Sequence, residues 1–128
     1  MRILLDTHVL YWSLFEPEKL PSAIRSAIAD PDNAVLFSAA SIWEMAIKSA
    51  LGRIDFQVEV EDVAGAATQS GFAEVPVRAM VAAGVATLPL YHRDPFDRLL
   101  IAQAMAEPAL FYTRDEALAR YTDLVRRV

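Results

Sequence analysis

Four acidic residues lie where an apolar run meets a polar one: Asp6 after Ile3-Leu4-Leu5, Glu44 within SAASIWEMAIK, Asp97 within HRDPFDRLLIAQA, and Asp115 after LFYTR. Each has an ordinary explanation. Asp6, Asp94 and Asp115 can cap helices, a role worth about 1 kcal/mol, and Glu44 can pair with Lys48 one turn on for roughly 0.2–0.5 kcal/mol. Capping leaves an excess. With Asp94 as N-cap and Pro95 as the first helical residue, one aspartate suffices. Asp97 is in phase with Leu100, Ile101 and Ala104, so it projects from a face destined for burial. Helical phase thus assigns Asp94 to capping and Asp97 to function. Glu44 shares a stripe with Ala40, Ile47 and Leu51, where a carboxylate is costly unless compensated. Asp6 and Asp115 are ambiguous taken singly, and Thr7 is a second capping residue where one would do.

Carboxylates gathered within several ångströms cannot all remain ionised without a cation among them. The chain has no cysteine, which leaves oxygen ligands and hard ions such as Mg²⁺ or Mn²⁺. Such ions orient a water and stabilise the attacking and leaving oxygens of phosphodiester hydrolysis. Lys48, Arg93, Arg98 and Arg114 flank the acids and are read together as a rim that takes substrate phosphates. His8 is read as packed in a first helix turn and His92 as a loop residue. Tyr11, Trp12 and Trp43 are read as packing or interface residues rather than base-stacking platforms.

The elements that must position these acids come from the apolar pattern. Short runs at 2–5, 34–37 and 109–113 are, apart from Arg2 and Thr113 at their ends, apolar throughout rather than alternating, as strands buried on both faces are. A stretch at 72–77 is extended, with Pro76 at a sheet edge or strand end, and 124–128 is a candidate last strand. Helices are expected after Asp6, over 21–30 with Pro21 in the first turn, and from Ser38 or Ser41 to Leu51 before Gly52. Others are expected over 59–70, 78–86, 95 onward and 115–121, and 55–58 reads as a linker or short strand. Alternating strands and helices predict an α/β sandwich of three layers around a mainly parallel sheet of four to five strands. Helix N-termini gather at the carboxyl edge of such a sheet, and so do ligands.

The bulk numbers narrow the classes. A length of 128 residues suits one domain, 1–128. The net charge of −5 argues against a binding-only role on DNA or RNA, but not against a nuclease whose cations invert the local charge. Neither a secretory apolar region nor a membrane-length run is present, so a cytoplasmic protein is expected. A dehalogenase-type phosphatase wants a second aspartate two residues after the first, where this chain has His8. A response-regulator module wants acids ahead of its strand, where only Met1 and Arg2 stand. A catalytically silent interaction module stays open, and predicts that the four acids are dispensable.

Taken in order, ILLDTHVLYW, SAASIWEMAIK, HRDPFDRLLIAQA and LFYTRDEAL resemble the PIN-domain ribonucleases, and among them the VapC-type toxins of toxin-antitoxin pairs. Each motif is weak alone; four in order and spacing are specific. The resemblance implies strand order 3-2-1-4-5, which sets Asp6 beside Asp115. It implies metal-dependent RNA cleavage with Asp6, Glu44 and Asp97 as the main acidic set, Asp115 as the fourth, and Thr113 orienting a carboxylate or water. It also implies a homodimer and a cognate antitoxin, through which alone DNA is met. A housekeeping PIN nuclease without an antitoxin is the alternative within the family.

Overall fold

The computed structural model describes residues 1–52 and 58–128. The sheet is built outward from β1 (Arg2–Leu5), whose Ile3, Leu4 and Leu5 are fully buried. On one side lie β2 (Ala34–Ser38) and then β3 (Ala73–Val75); on the other lie β4 (Leu110–Thr113) and β5 (Val125–Arg127). Every neighbouring pair is parallel, and the order is β3-β2-β1-β4-β5. This is the order that the resemblance implies.

Because side chains alternate along a strand, β1 sends Ile3 and Leu5 into one core and Leu4 into another. The first core includes Val9, Leu10 and Trp12 of α1 (Thr7–Phe15), Met45 of α3 (Ala39–Ala50), and Val63 and Ala67 of α4 (Val60–Gln69). The second joins Leu36 and Phe111 to Leu100, Ile101 and Ala104 of α6 (Pro95–Ala106). Helices therefore cover both faces, which accounts for the uninterrupted apolar strands.

The helix ends follow local chemistry. Ser38, rather than Ser41, caps α3 through the Ala40 N–H, and Gly52 leaves the helix at φ +77°, a conformation that favours glycine. Pro21 is the N-cap of α2 (Ser22–Ala29), so the helix begins one residue later than the sequence pattern suggested. The helix expected over 78–86 divides into α5 (Ala79–Gly84) and a 3₁₀ turn at Val85–Thr87. The helix expected over 115–121 is a 3₁₀ turn at Glu116–Arg120, closed by Leu118 N–H to Asp115 C=O and Tyr121 N–H to Leu118 C=O. So short a segment gains little from helical propagation. Of the stretch expected at 55–58, residues 55–57 lie outside the described residues. No helix among the described residues is long and apolar enough to cross a membrane.

Candidate active site

The carboxyl ends of β1 and β4 are neighbours, with Leu5 in register with Tyr112, and the Asp6 N–H extends the ladder to Tyr112 C=O at 2.9 Å. Asp6 thus leaves β1 directly beside Thr113. Its Oδ1 accepts from the Thr7 N–H at 2.6 Å, the cap expected of it, and its Oδ2 accepts from Thr113 Oγ1 at 2.6 Å. The same hydroxyl accepts the Asp115 N–H at 3.0 Å, so one buried threonine orients an acid on each strand's exit. Asp115 also caps its 3₁₀ turn through Ala117 N–H.

Thr7 has a use the sequence left unexplained. Its hydroxyl donates to Glu44 Oε1 at 2.7 Å and lies 3.0 Å from the Ser41 hydroxyl. Glu44 is only 4% exposed, and its other oxygen accepts from Lys48 Nζ at 2.6 Å. The ion pair and the functional position are therefore one arrangement: Lys48 compensates a carboxylate that α3 buries at the edge of the sheet.

On the α6 side, Asp94 Oδ1 accepts from the N–H groups of Phe96 (2.8 Å) and Asp97 (3.3 Å), which makes it the N-cap. Asp97 turns inward, as its phase requires, and meets His92. Nε2 of His92 is 2.8 Å from Asp97 Oδ2 and 3.4 Å from Asp115 Oδ2. His92 is a loop residue before the helix, as expected, and from there its ring reaches two of the acids. The signal was its place two residues before a helix cap, which holds it at the same helix end as Asp97.

The basic rim also changes. Arg98 is not directed at the acids: its guanidinium donates to the carbonyls of Val85, Leu88, Pro89 and His92 and approaches the Tyr121 hydroxyl. A side chain so committed has few donors left for a phosphate, so Arg98 serves the loop. Arg114 is exposed at the cleft, its guanidinium 4.7 Å from the centre of the Trp12 ring. Arg93 is exposed, and Lys48 is held by Glu44. Tyr11 and Trp12 are buried; Trp43 is 60% exposed and meets Phe96 in a T-shaped contact.

Asp6, Glu44, Asp97 and Asp115 share one open cleft of about 350 Å³, lined also by Asp94, His8, Lys48 and Arg114. Burial pushes Asp6 up to about 6; the Thr113 and Thr7 bonds pull against it, and Glu44 and Asp94 reinforce it. Burial also pushes Asp97 up to about 7, helped by the charges of Asp6 and Asp94 and opposed by His92. Carboxyls raised this far, first by burial and then by neighbouring acids, are the kind that gather at functional sites. The donor set suits a hard divalent cation, since each Asp6 oxygen accepts one bond and keeps a second lone pair. His92, Asp97 and Asp115 bring one ligand atom each within 4.8 Å of one another.

Known proteins resemble this chain over most of its length. The PIN domain family model matches residues 3–124. Ribonuclease VapC22 of Mycobacterium tuberculosis is 32% identical over 117 residues, covering 91% of this chain and 88% of that protein. Among solved structures, VapBC2 from Rickettsia felis, bound to a DNA fragment from their promoter, superposes with a TM-score of 0.72 at 15% identity, over 99% of this chain and 98% of that one. FitAB bound to the IR36 DNA fragment gives 0.60 at 22% identity, over 98% and 94%.

Proposed function

The chain belongs to the PIN-domain family, and from that premise we propose that it is a metal-dependent endoribonuclease acting as the toxin of a toxin-antitoxin pair. The observation that carries this reading is the convergence of Asp6, Glu44, Asp97 and Asp115 on one cleft, with two of them held above the usual carboxylate range. The likeness to a ribonuclease over 91% of the chain supports RNA as the substrate.

In this reading the four acids hold Mg²⁺ or Mn²⁺. When bound, the ion activates water and offsets charge on the phosphodiester. The chain supplies everything around it. Thr113 and the Thr7 N–H fix the Asp6 carboxylate in one rotamer, and the Thr7 hydroxyl and Lys48 do the same for Glu44. Positions held this way need no rearrangement as charge develops, the main source of electrostatic catalysis. Arg114 at the mouth, with Lys48 and Arg93, draws the RNA backbone toward an otherwise acidic cleft.

The reading takes residues 1–128 as a single cytoplasmic PIN domain, working as a homodimer. A cognate antitoxin neutralises it and makes whatever DNA contact the complex has, as befits a fold shared with VapBC2 and FitAB assemblies on DNA. Exposed Met80, Leu90 and Leu51 provide apolar surface for protein partners. The test is expression in a bacterial host alone and together with any small reading frame found to adjoin this one. Growth arrest relieved by the neighbour and absent in Asp6→Asn is expected. Arrest that persists in Asp6→Asn overturns the site, and no arrest in the absence of the neighbour overturns the toxin.

A further inference from the structure

We propose that His92 is a ligand of the divalent cation in this cleft, and that its nitrogen inclines the site toward Mn²⁺ over Mg²⁺. The inference rests on the metal-dependent reading above and concerns a residue outside the acidic set. Nε2 lies between two carboxylates from different elements, Asp97 on α6 and Asp115 beyond β4, at 2.8 and 3.4 Å. One ligand atom from each of the three residues lies within 4.8 Å of the others, a spread that a single cation between them could bridge in place of the His92–Asp97 contact, and an imidazole nitrogen is a metal ligand once deprotonated.

The placement of the ring is heavily supported. The His92 N–H donates to the Tyr121 hydroxyl at 2.9 Å, and its carbonyl accepts from Arg98 at 3.4 Å. Arg98 also gathers the carbonyls of Val85, Leu88 and Pro89, so the loop leading to His92 is wound around one guanidinium. The Tyr121 ring meets Tyr91 at 5.1 Å between centroids, and Arg120 lies 4.0 Å over the Tyr91 ring. Tyr121 ends the turn that Asp115 begins, so one clamp sets both the histidine and an acid it faces. A loop that served only as a connection would need none of this. Precise support of a ring that reaches into a cation site is what ligand geometry requires.

The chemical consequence is selectivity. Mg²⁺ demands octahedral oxygen ligation, whereas the first-row ions accept imidazole. An all-carboxylate cleft would take either ion; one nitrogen in the set favours Mn²⁺. Arg98 and Tyr121 are then positioning residues that act through His92.

The experiment uses the full chain, purified without a histidine tag, loaded with Mn²⁺ and examined by pulsed electron paramagnetic resonance for ¹⁴N coupling to the metal. The chain has two histidines, His8 and His92, and both can be tested. Coupling that survives His8→Ala and disappears in His92→Ala is expected. Calorimetry on His92→Ala should show Mn²⁺ binding weakened about tenfold or more, and Mg²⁺ much less. Tyr121→Phe, which keeps every ligand, should weaken the ¹⁴N signal and narrow the preference. No ¹⁴N coupling in the parent, or coupling that follows His8, overturns the inference without reference to any variant's stability. Imidazole-bound Mn²⁺ in a protein that cuts no RNA leaves the inference standing and removes the nuclease reading; RNA cleavage with an all-oxygen Mn²⁺ does the reverse.

Discussion

The two walls of the cleft are built differently. On the β1 and α3 wall, Glu44 is buried and Asp6 half-buried, and all four of their carboxylate oxygens are engaged by Thr7, Thr113 or Lys48. On the α6 wall, the side chains of His92, Asp97 and Asp115 are 25%, 17% and 38% exposed and lean chiefly on one another. The first wall is part of the core and cannot move without disturbing it. The second combines the first turn of α6 with a loop and a short turn, and its side chains are more exposed to the solvent from which ions and substrate arrive. A fixed half and an accessible half divide the work of positioning and exchange.

The largest break in this comparison should come from removing one acid from each wall. Asp6→Asn and Asp97→Asn should each lower RNA cleavage by about 100-fold or more while the fold persists, measured as initial rates on an end-labelled RNA. The Thr113 contact can survive in Asp6→Asn, because a carboxamide N–H can donate where the carboxylate accepted.

The walls should also differ in pH dependence. Asp6 at about 6 and Asp97 at about 7 lie above the ordinary 3.8, so without metal the native protein binds more protons than the unfolded chain between those limits. The contribution of these two groups to stability falls as pH rises through that window and is lost above about pH 7. Thermal melts in chelator should show this decline, with Asp6→Asn flattening the part up to about pH 6 and Asp97→Asn the part up to about pH 7. A metal-free protein whose pH–stability slope is the same in the parent and in both variants would contradict the electrostatics of both walls.

A smaller effect is expected at Asp94, which lines the cleft yet spends its carboxylate on the helix start. Asp94→Ala should cost about 0.5–2 kcal/mol in denaturant titrations, and Asp94→Ser, which can still cap, should recover most of it. The smallest is at Arg114. Arg114→Ala should reduce the slope of log affinity for single-stranded RNA against log salt by about 0.7, the contribution of one phosphate contact.

The legibility of the sequence follows the same division. The fixed wall was readable because it hangs on β1, β4 and α3, whose apolar runs and caps identify them without tertiary information. Helical phase alone separated Asp97 from Asp94. The clamp around His92 was not readable: it depends on Arg98 reaching carbonyls of a non-periodic loop at 85–92, and a loop's path leaves no pattern in residue types. Arg98 therefore looked like part of a phosphate rim and His92 like a bystander. Glu44 shows a different limit. Its ion pair with Lys48 was legible as an alternative to function, and only the fold reveals that the pair and the Thr7 bond hold the same carboxylate in the cleft. The strand order came from resemblance to a family, because parallel strands of similar composition carry no local mark of their neighbours.

The central claim is that these two walls together hold a divalent cation and use it to cut RNA. The direct measurement incubates antitoxin-free protein with a broad pool of cellular RNA, with Mg²⁺ or Mn²⁺ and then with excess chelator, beside Asp97→Asn. The account predicts discrete internal cleavages that need the cation and vanish in the variant. Intact RNA with either ion, or cleavage that continues in chelator, would contradict it.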